Sequence, residues 1–245
     1  MRVVARSGLA LMLLGSAILA RQATNTIPAT GGDIVITPIT HASLQIEHAG
    51  TVIQVDPWSQ GDYGQAKPAD LVLVTDIHGD HLDPAQIAKL RKPGAPVVAP
   101  AAAAEKLENA TVMANGESRT VAGVQLEAVP MYNLTRGPAP GQLYHVKGRG
   151  NGYVITLGGK RVYVAGDTEC TPEMKALKDI DAAFLPMNLP YTMPPSEAAE
   201  CARAFNPRIV YPYHYRGQDA EAFAAALRGE PIEVRVLDWY AAGGQ

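Results

Sequence analysis

Cysteine is nearly absent, with Cys170 and Cys201 the only two in 245 residues. Two cysteines exclude a disulfide framework and any cysteine-rich zinc site. They leave open one bridge or two unpaired buried thiols, because sequence does not show how close their Cα atoms come. An excess of either charge is also lacking. The 21 basic and 24 acidic residues leave a net charge of −3 with no Lys/Arg block, so a nucleic-acid partner has no electrostatic footprint. Nothing after residue 21 approaches the roughly 18 consecutive apolar residues of a membrane span. Long linkers and short tandem repeats are missing too. With 47% of its residues hydrophobic, the chain suits one large domain or two tightly fused halves.

The first twenty residues differ from the rest. Arg2 and Arg6 precede an apolar run from Leu9 to Ala20 that ends in small residues, the pattern of a secretory signal peptide over residues 1–20. An uncleaved anchor and an unprocessed N-terminal helix are the alternatives. Cleavage would give a periplasmic or secreted protein with no stable membrane span, and export would permit a bridge between the two cysteines.

The polar residues that remain are concentrated. Thr75-Asp76-Ile77-His78-Gly79-Asp80-His81 places two imidazoles and two carboxylates within six residues, just past the apolar run Leu71-Val72-Leu73-Val74. Carboxylates crowd together at a cost unless a cation or shared proton lies between them, so the cluster reads as a metal site. The apolar run reads as a buried strand, and ligands in α/β sheets bind beyond the carboxyl ends of strands. Asp83-Pro84 then supplies an N-cap and a first helical residue for a helix reaching Arg91.

Before this stretch, Ile34–Thr37, Ser43–Glu47 and Thr51–Val55 read as a strand meander closed by Asp56-Pro57. After it come a strand at Val97–Ala99, an alanine-rich helix over Ala101–Leu107, and strands at Thr111–Met113, Ser118–Val121 and Val124–Val129. A long Gly- and Pro-rich loop runs from Tyr132 to Gly152. A hairpin (Tyr153–Leu157, Arg161–Ala165), helices at Pro172–Leu177, Ser196–Phe205 and Asp219–Leu227, and strands at Ala182–Leu185, Arg208–Tyr211 and Glu233–Leu237 complete the chain. Meander followed by β-α units, twice over, predicts an α/β chain. Asp167 and His214 again lie just past strands.

Residues 76–81 resemble the H-x-H-x-D-H signature of the metallo-β-lactamase superfamily, with Asp76 standing where the first histidine is expected. Val52–Pro57, Gly166-Asp167-Thr168 and Tyr211-Pro-Tyr-His214 follow in family order, so that the resemblance covers residues 33–240. It is strongest toward the branch of ascorbate-6-phosphate lactonase and N-acyl-phosphatidylethanolamine phospholipase D. The resemblance implies an αββα sandwich and two divalent metal ions, Zn²⁺ first, with Mn²⁺ or Fe²⁺ as alternatives. By position, Asp76, His78 and His145 would hold one ion and Asp80, His81 and His214 the other, with Asp167 bridging. Asp56 would support the metal loop from behind. His41 and His48 read as structural or surface histidines, although His41 matches a family position near the site.

Such a site implies a metal-dependent hydrolase in which an activated water or hydroxide attacks a small ester, lactone or phosphodiester, with Asp80 as both ligand and proton acceptor. Arg136, Lys147, Arg149 and Arg216 fall in loops expected around the site, which favours an anionic small-molecule substrate. Asn133, Tyr191 and Tyr215 are candidate donors to it, as is Tyr132. If Asp76 is a ligand, three carboxylates facing two divalent ions leave a less positive site than a histidine would, favouring harder metals. A non-catalytic metal- or ligand-binding module on the same fold is the alternative from another class. β-Lactam hydrolysis is a further one, and the oligomeric state is open.

Overall fold

Alternation along the strands builds two sheets that share one apolar interior. The computed structural model describes residues 25–240, so the expected signal peptide at 1–20 lies outside the described residues. The first sheet contains, in spatial order, β1 (Asn25–Ile27), β2 (Ile34–Thr40), β3 (Ser43–His48), β4 (Thr51–Val55), β5 (Leu71–Leu73), β6 (Val97–Ala99) and β7 (Thr111–Val112). Its strands are antiparallel from β1 to β4 and parallel from β4 to β7. Helices α1 (Pro84–Leu90) and α2 (Ala101–Ala104) provide the crossovers from β5 to β6 and from β6 to β7, while a helix-free segment links β4 to β5.

The second sheet repeats the plan. Strands β8 (Ser118–Val121), β9 (Val124–Met131), β10 (Gly150–Leu157) and β11 (Lys160–Val164) are antiparallel. Then β12 (Ala182–Pro186), β13 (Ile209–Tyr213) and β14 (Glu233–Val234) run parallel to β11, linked by α3 (Pro172–Lys175), α4 (Pro195–Phe205) and α5 (Ala220–Ala226).

Both faces of the parallel strands are covered, and the period of two divides their residues between them. Leu71 and Leu73 of β5 join Ala182 and Phe184 of β12 in the core between the sheets. Their neighbours Val72 and Val74 pack outward with Ile87 of α1, while Ala183 and Leu185 pack outward with the residues of α4 and α5. The result is the expected αββα sandwich.

The element boundaries depart from the sequence reading in a few places. Strand β1 pairs with β2 ahead of residue 33, so the expected domain start omits a strand. Helix α2 ends at Ala104 rather than Leu107; Pro100 at its N-cap offers no side-chain hydrogen bond. The long loop is shorter than expected because Gly150 already pairs with Met131.

The sheets are pinned together beneath the site. Tyr153 Oη donates to Val74 O at 2.9 Å, and the Asn151 amide donates to Thr75 O at 2.9 Å. Gly166, at φ +69°, crosses this seam, where a Cβ would lie 2.5 Å from Met131 Sδ and 3.1 Å from Thr75 Cβ. A side chain there would be strained at this φ, would displace Met131 and would crowd Thr75 across the seam.

Candidate metal centre

Each site loop leaves the carboxyl end of a strand or the turn beside one, and local hydrogen bonds shape it. Asp56, with no exposed surface and φ +44°, receives the Thr75 amide at 2.7 Å and the Thr75 hydroxyl at 2.5 Å. Its second oxygen also takes His81 Nδ1 at 2.8 Å. Burial pushes the Asp56 carboxyl up, against the opposing pull of His81 and Thr75. Thus Asp56 fixes both the start of the 75–81 loop and the orientation of the His81 ring. At the loop's end Asp83 accepts from the Gln86 amide at 3.0 Å and starts α1.

The second half positions its side chains in the same manner. Asn133 Oδ1 accepts from both the amide and Nδ1 of His145, at 2.8 and 2.7 Å, while Asn133 Nδ2 donates to Glu169 and to Tyr191 O. Glu169 also accepts from the Thr135 and Arg136 amides and so folds the 133–136 turn. Cys170 and Cys201 form a disulfide that ties the segment after Asp167 to α4. The bridge is one of the two arrangements the sequence allows.

All seven residues named by the resemblance converge. Asp76, His78 and His145 present ligand atoms within 4.8 Å of one another, as do His81, Asp167 and His214. Asp167 lies between the two halves, with His145 Nε2 at 3.3 Å and His81 Nε2 and His214 Nε2 at 3.4 Å. Asp80 Oδ2 is 3.3 Å from His214 Nε2 and 3.8 Å from His81 Nε2.

The tautomers decide what these distances mean. His145 Nδ1 faces an amide oxygen and His81 Nδ1 a carboxylate, so both must carry the proton on Nδ1. Their Nε2 lone pairs then point toward Asp167, and neither Nε2 has a hydrogen-bond partner; nor does Asp167 Oδ1. Lone pairs buried against a carboxylate repel it unless a proton or a metal cation stands among them. The donor set therefore fits divalent metal ions. Burial opposes charge on His81, but in the metal-free protein Asp167, Asp80 and Asp56 outweigh it and would hold a second proton on the ring, at Nε2, well above 6.5, the position a metal ion would take in its place. Burial likewise opposes charge on Asp167, yet His214 and His81 keep its carboxyl well below the usual range.

One expected ligand has an additional partner. Asp76, fully buried, lies 2.8 Å from His78 Nδ1 and accepts both Nε and Nη2 of Arg149 at 3.1 Å each. The expectation of a less positive site is corrected here, since the guanidinium returns the charge that the aspartate removes. Arg149 is thereby withdrawn from the substrate residues expected from sequence. The same correction applies to Arg136, paired with Glu169 and Glu197, and to Lys147, paired with Glu173. It extends to Asn133, which has no exposed surface and holds His145. Tyr215 donates to Leu237 O and packs against Tyr240, and Tyr132 donates to Glu173. Tyr191 and Arg216 do line the cleft over the candidate metal ligands, which encloses about 390 Å³.

His41 is closer to the centre than its reading as a structural or surface histidine suggested. Its Nε2 is 3.3 Å from Asp80 Oδ2, its Nδ1 is 2.8 Å from Tyr240 Oη, and its ring lies 3.7 Å from that of His214. Burial lowers its pKa from 6.5 to about 4, so the ring is neutral at pH 7. His48 instead meets Thr30 O. Tyr144 and Asn188 also line the cleft and were not anticipated.

Comparison with known proteins agrees with this geometry. The beta-lactamase superfamily domain matches residues 35–214. A UPF0173 metal-dependent hydrolase of Methanopyrus kandleri is 32% identical over 224 residues, covering 83% of this chain and 96% of the relative. One from Thermococcus onnurineus is 36% identical over 217 residues, covering 80% and 93%. A crystal structure of a candidate metal-dependent hydrolase from Parabacteroides distasonis superposes with a TM-score of 0.83 at 43% identity, covering 89% of this chain and 99% of that one. With two such halves meeting at seven convergent donors, the chain belongs to the metallo-β-lactamase superfamily, among the UPF0173 metal-dependent hydrolases, and is itself a metal-dependent hydrolase.

Proposed function

We propose that the chain is a dinuclear hydrolase of small, anionic esters, lactones or phosphodiesters. The observation that carries this reading is the pair of buried Nε2 atoms, on His81 and His145, that converge on Asp167 without a hydrogen-bond partner. Asp76, His78 and His145 would hold one ion, Asp80, His81 and His214 the other, and Asp167 both. Nitrogen and carboxylate donors without cysteine suit Zn²⁺, and also Mn²⁺ or Fe²⁺. Such ions acidify water toward neutral pH and polarise a carbonyl or phosphoryl oxygen.

The protein's own groups divide the remaining work. Asp80 is the natural proton acceptor because its side chain is 27% exposed to the cleft, against 0% for Asp76 and 5% for Asp167. Asp56 and Asn133 hold the rings of His81 and His145 so that their lone pairs face inward. The lactonase- and phospholipase-like branch remains our reading of the substrate chemistry, on the resemblance of the motifs. A secretory leader at 1–20 and a periplasmic or secreted address accompany it, supported by the Cys170–Cys201 bridge.

Metal analysis of the purified mature protein, joined to a panel of lactones, esters and phosphodiesters, tests the reading. Up to two transition-metal ions per chain are expected, with activity abolished by chelation and restored by metal. A stoichiometry well below one, with turnover insensitive to chelators, refutes it.

A further inference from the structure

We infer that Arg216, together with the paired rings of Tyr144 and Tyr191, selects substrates that carry one anionic group on an apolar body. The inference rests on reading this cleft as the hydrolytic site, and it narrows the substrate class. Of the four loop bases that sequence suggested, Arg136, Lys147 and Arg149 each have a carboxylate partner, whereas Arg216 has none among the described residues. Arg216 is also the only Lys or Arg among the residues lining the cleft.

Its position is held without cancelling its charge. The guanidinium carbon lies 5.9 Å from the centroid of the Tyr240 ring, whose hydroxyl meets His41 beside Asp80. A cation–π contact at this range draws the exposed guanidinium toward the ring and leaves its N–H donors free for a carboxylate or phosphodiester oxygen. One free cation matches one negative charge. A dianionic phosphate monoester would call for a second.

The apolar half of the argument comes from two tyrosines that line the same cleft. Tyr144 and Tyr191 meet edge to face with centroids 4.9 Å apart, and both line the cleft. The loops that carry them are joined by the Asn133 side chain donating to Tyr191 O at 2.8 Å. Among the described residues, four of the six exposed large hydrophobics sit on these two loops: Leu134, Val146, Leu189 and Tyr191. Their concentration on the loops that frame the cleft fits contact with the apolar body of a substrate.

The probes are 1-naphthylacetate and its neutral analogue 1-naphthylacetamide, titrated calorimetrically into the metal-loaded protein. Parent, Arg216→Gln, Arg216→Lys and Tyr191→Ala are compared, with metal content measured in each. The parent should bind the anion at least about 10-fold more tightly than the amide. In Arg216→Gln the two affinities should fall within about 2-fold of each other, and Arg216→Lys should retain part of the preference. Tyr191→Ala should weaken both probes by a similar factor, with metal content unchanged throughout. A preference that survives in Arg216→Gln would place the anion on the metal ions and overturn the inference. So would the absence of any preference, or of any binding, in the parent. Hydrolysis of 4-nitrophenyl esters by the same four proteins is scored separately: selective binding without turnover would sink the hydrolytic reading and leave this one standing.

Discussion

Replacing Arg149 by Gln removes the guanidinium that grips both oxygens of Asp76 and leaves a carboxylate with no exposed surface facing His78 and His145. Breaking a buried ion pair by removing one partner costs about 3–5 kcal/mol. The Arg149 side chain is 18% exposed, so water answers part of the loss and about 3 kcal/mol is expected. The metal-free protein should show it as a lower midpoint in equilibrium denaturation, with unchanged slope. Bound metal should recover much of it, because a divalent ion supplies the missing positive charge beside Asp76.

The reverse change isolates the same charge from the other side. Three carboxylates against two divalent ions leave a net of about +1, and Arg149 raises this to about +2, the value a histidine at position 76 would give by itself. Asp76→His alone therefore places an unopposed guanidinium next to the ions. At about 3 kcal/mol, metal affinity should fall about 100-fold. Asp76→His combined with Arg149→Gln should recover to within about 10-fold of the parent. Competition against a chromophoric chelator measures all four proteins. If the double variant binds no better than Asp76→His, or if Arg149→Gln unfolds at the parental midpoint, Arg149 does not balance Asp76.

Three other outcomes follow from the geometry. His81→Ala and His214→Ala should empty the same metal position although they are distant in sequence; full occupancy in either variant would separate them. The raised His81 pKa sets opposite pH trends for stability and for metal binding. In the metal-free protein its contribution is complete below about pH 6.5 and is lost as pH rises through the folded value, whereas metal affinity climbs over that same range as the competing proton leaves. Denaturation and metal titration at several pH values check this, and parallel trends would contradict it. Removing the Cys170–Cys201 bridge, which closes a separation of 31 residues, should cost about 2–4 kcal/mol; an unchanged midpoint in the double Ala variant would show that the bridge contributes nothing.

What could be read from sequence was local. The cluster from Asp76 to His81 is visible because its strand, its ligands and the cap at Asp83 all fall within about a dozen positions. Asp167 and His214 announce themselves by ending apolar strands. Strand β1 does not, since three residues acquire strand character only by pairing with β2. The partners of the loop bases were equally hidden: Arg149 meets Asp76 across 73 positions, Arg136 meets Glu197 across 61, and Lys147 meets Glu173 across 26. Spacing rules see i to i+4 on a helix and neighbours across a hairpin, but not an ion pair closed by tertiary packing, whether within one half or, as for Arg149 and Asp76, between the two. Four loop cations therefore looked interchangeable when only Arg216 was free.

That docking also explains why the site and the fold are difficult to separate. The first sheet supplies His41, Asp76, His78, Asp80 and His81 from the turn after β2 and the loop after β5; the second supplies His145, Asp167 and His214. Each of the three donor groups draws from both halves: Asp76 and His78 with His145, His81 with Asp167 and His214, His41 and Asp80 with His214. No group can form within one sheet. An ion bound to any of them therefore favours the docked halves over the separated ones, by about 4 kcal/mol when free metal stands 1,000-fold above its dissociation constant. Without it, the seam carries buried carboxylates and lone pairs that repel one another, offset by apolar burial between the sheets, by backbone ties such as Tyr153 to Val74, and by protons such as the one on His81. The ions that would supply the chemistry are thus also the missing countercharge of the interface that positions them.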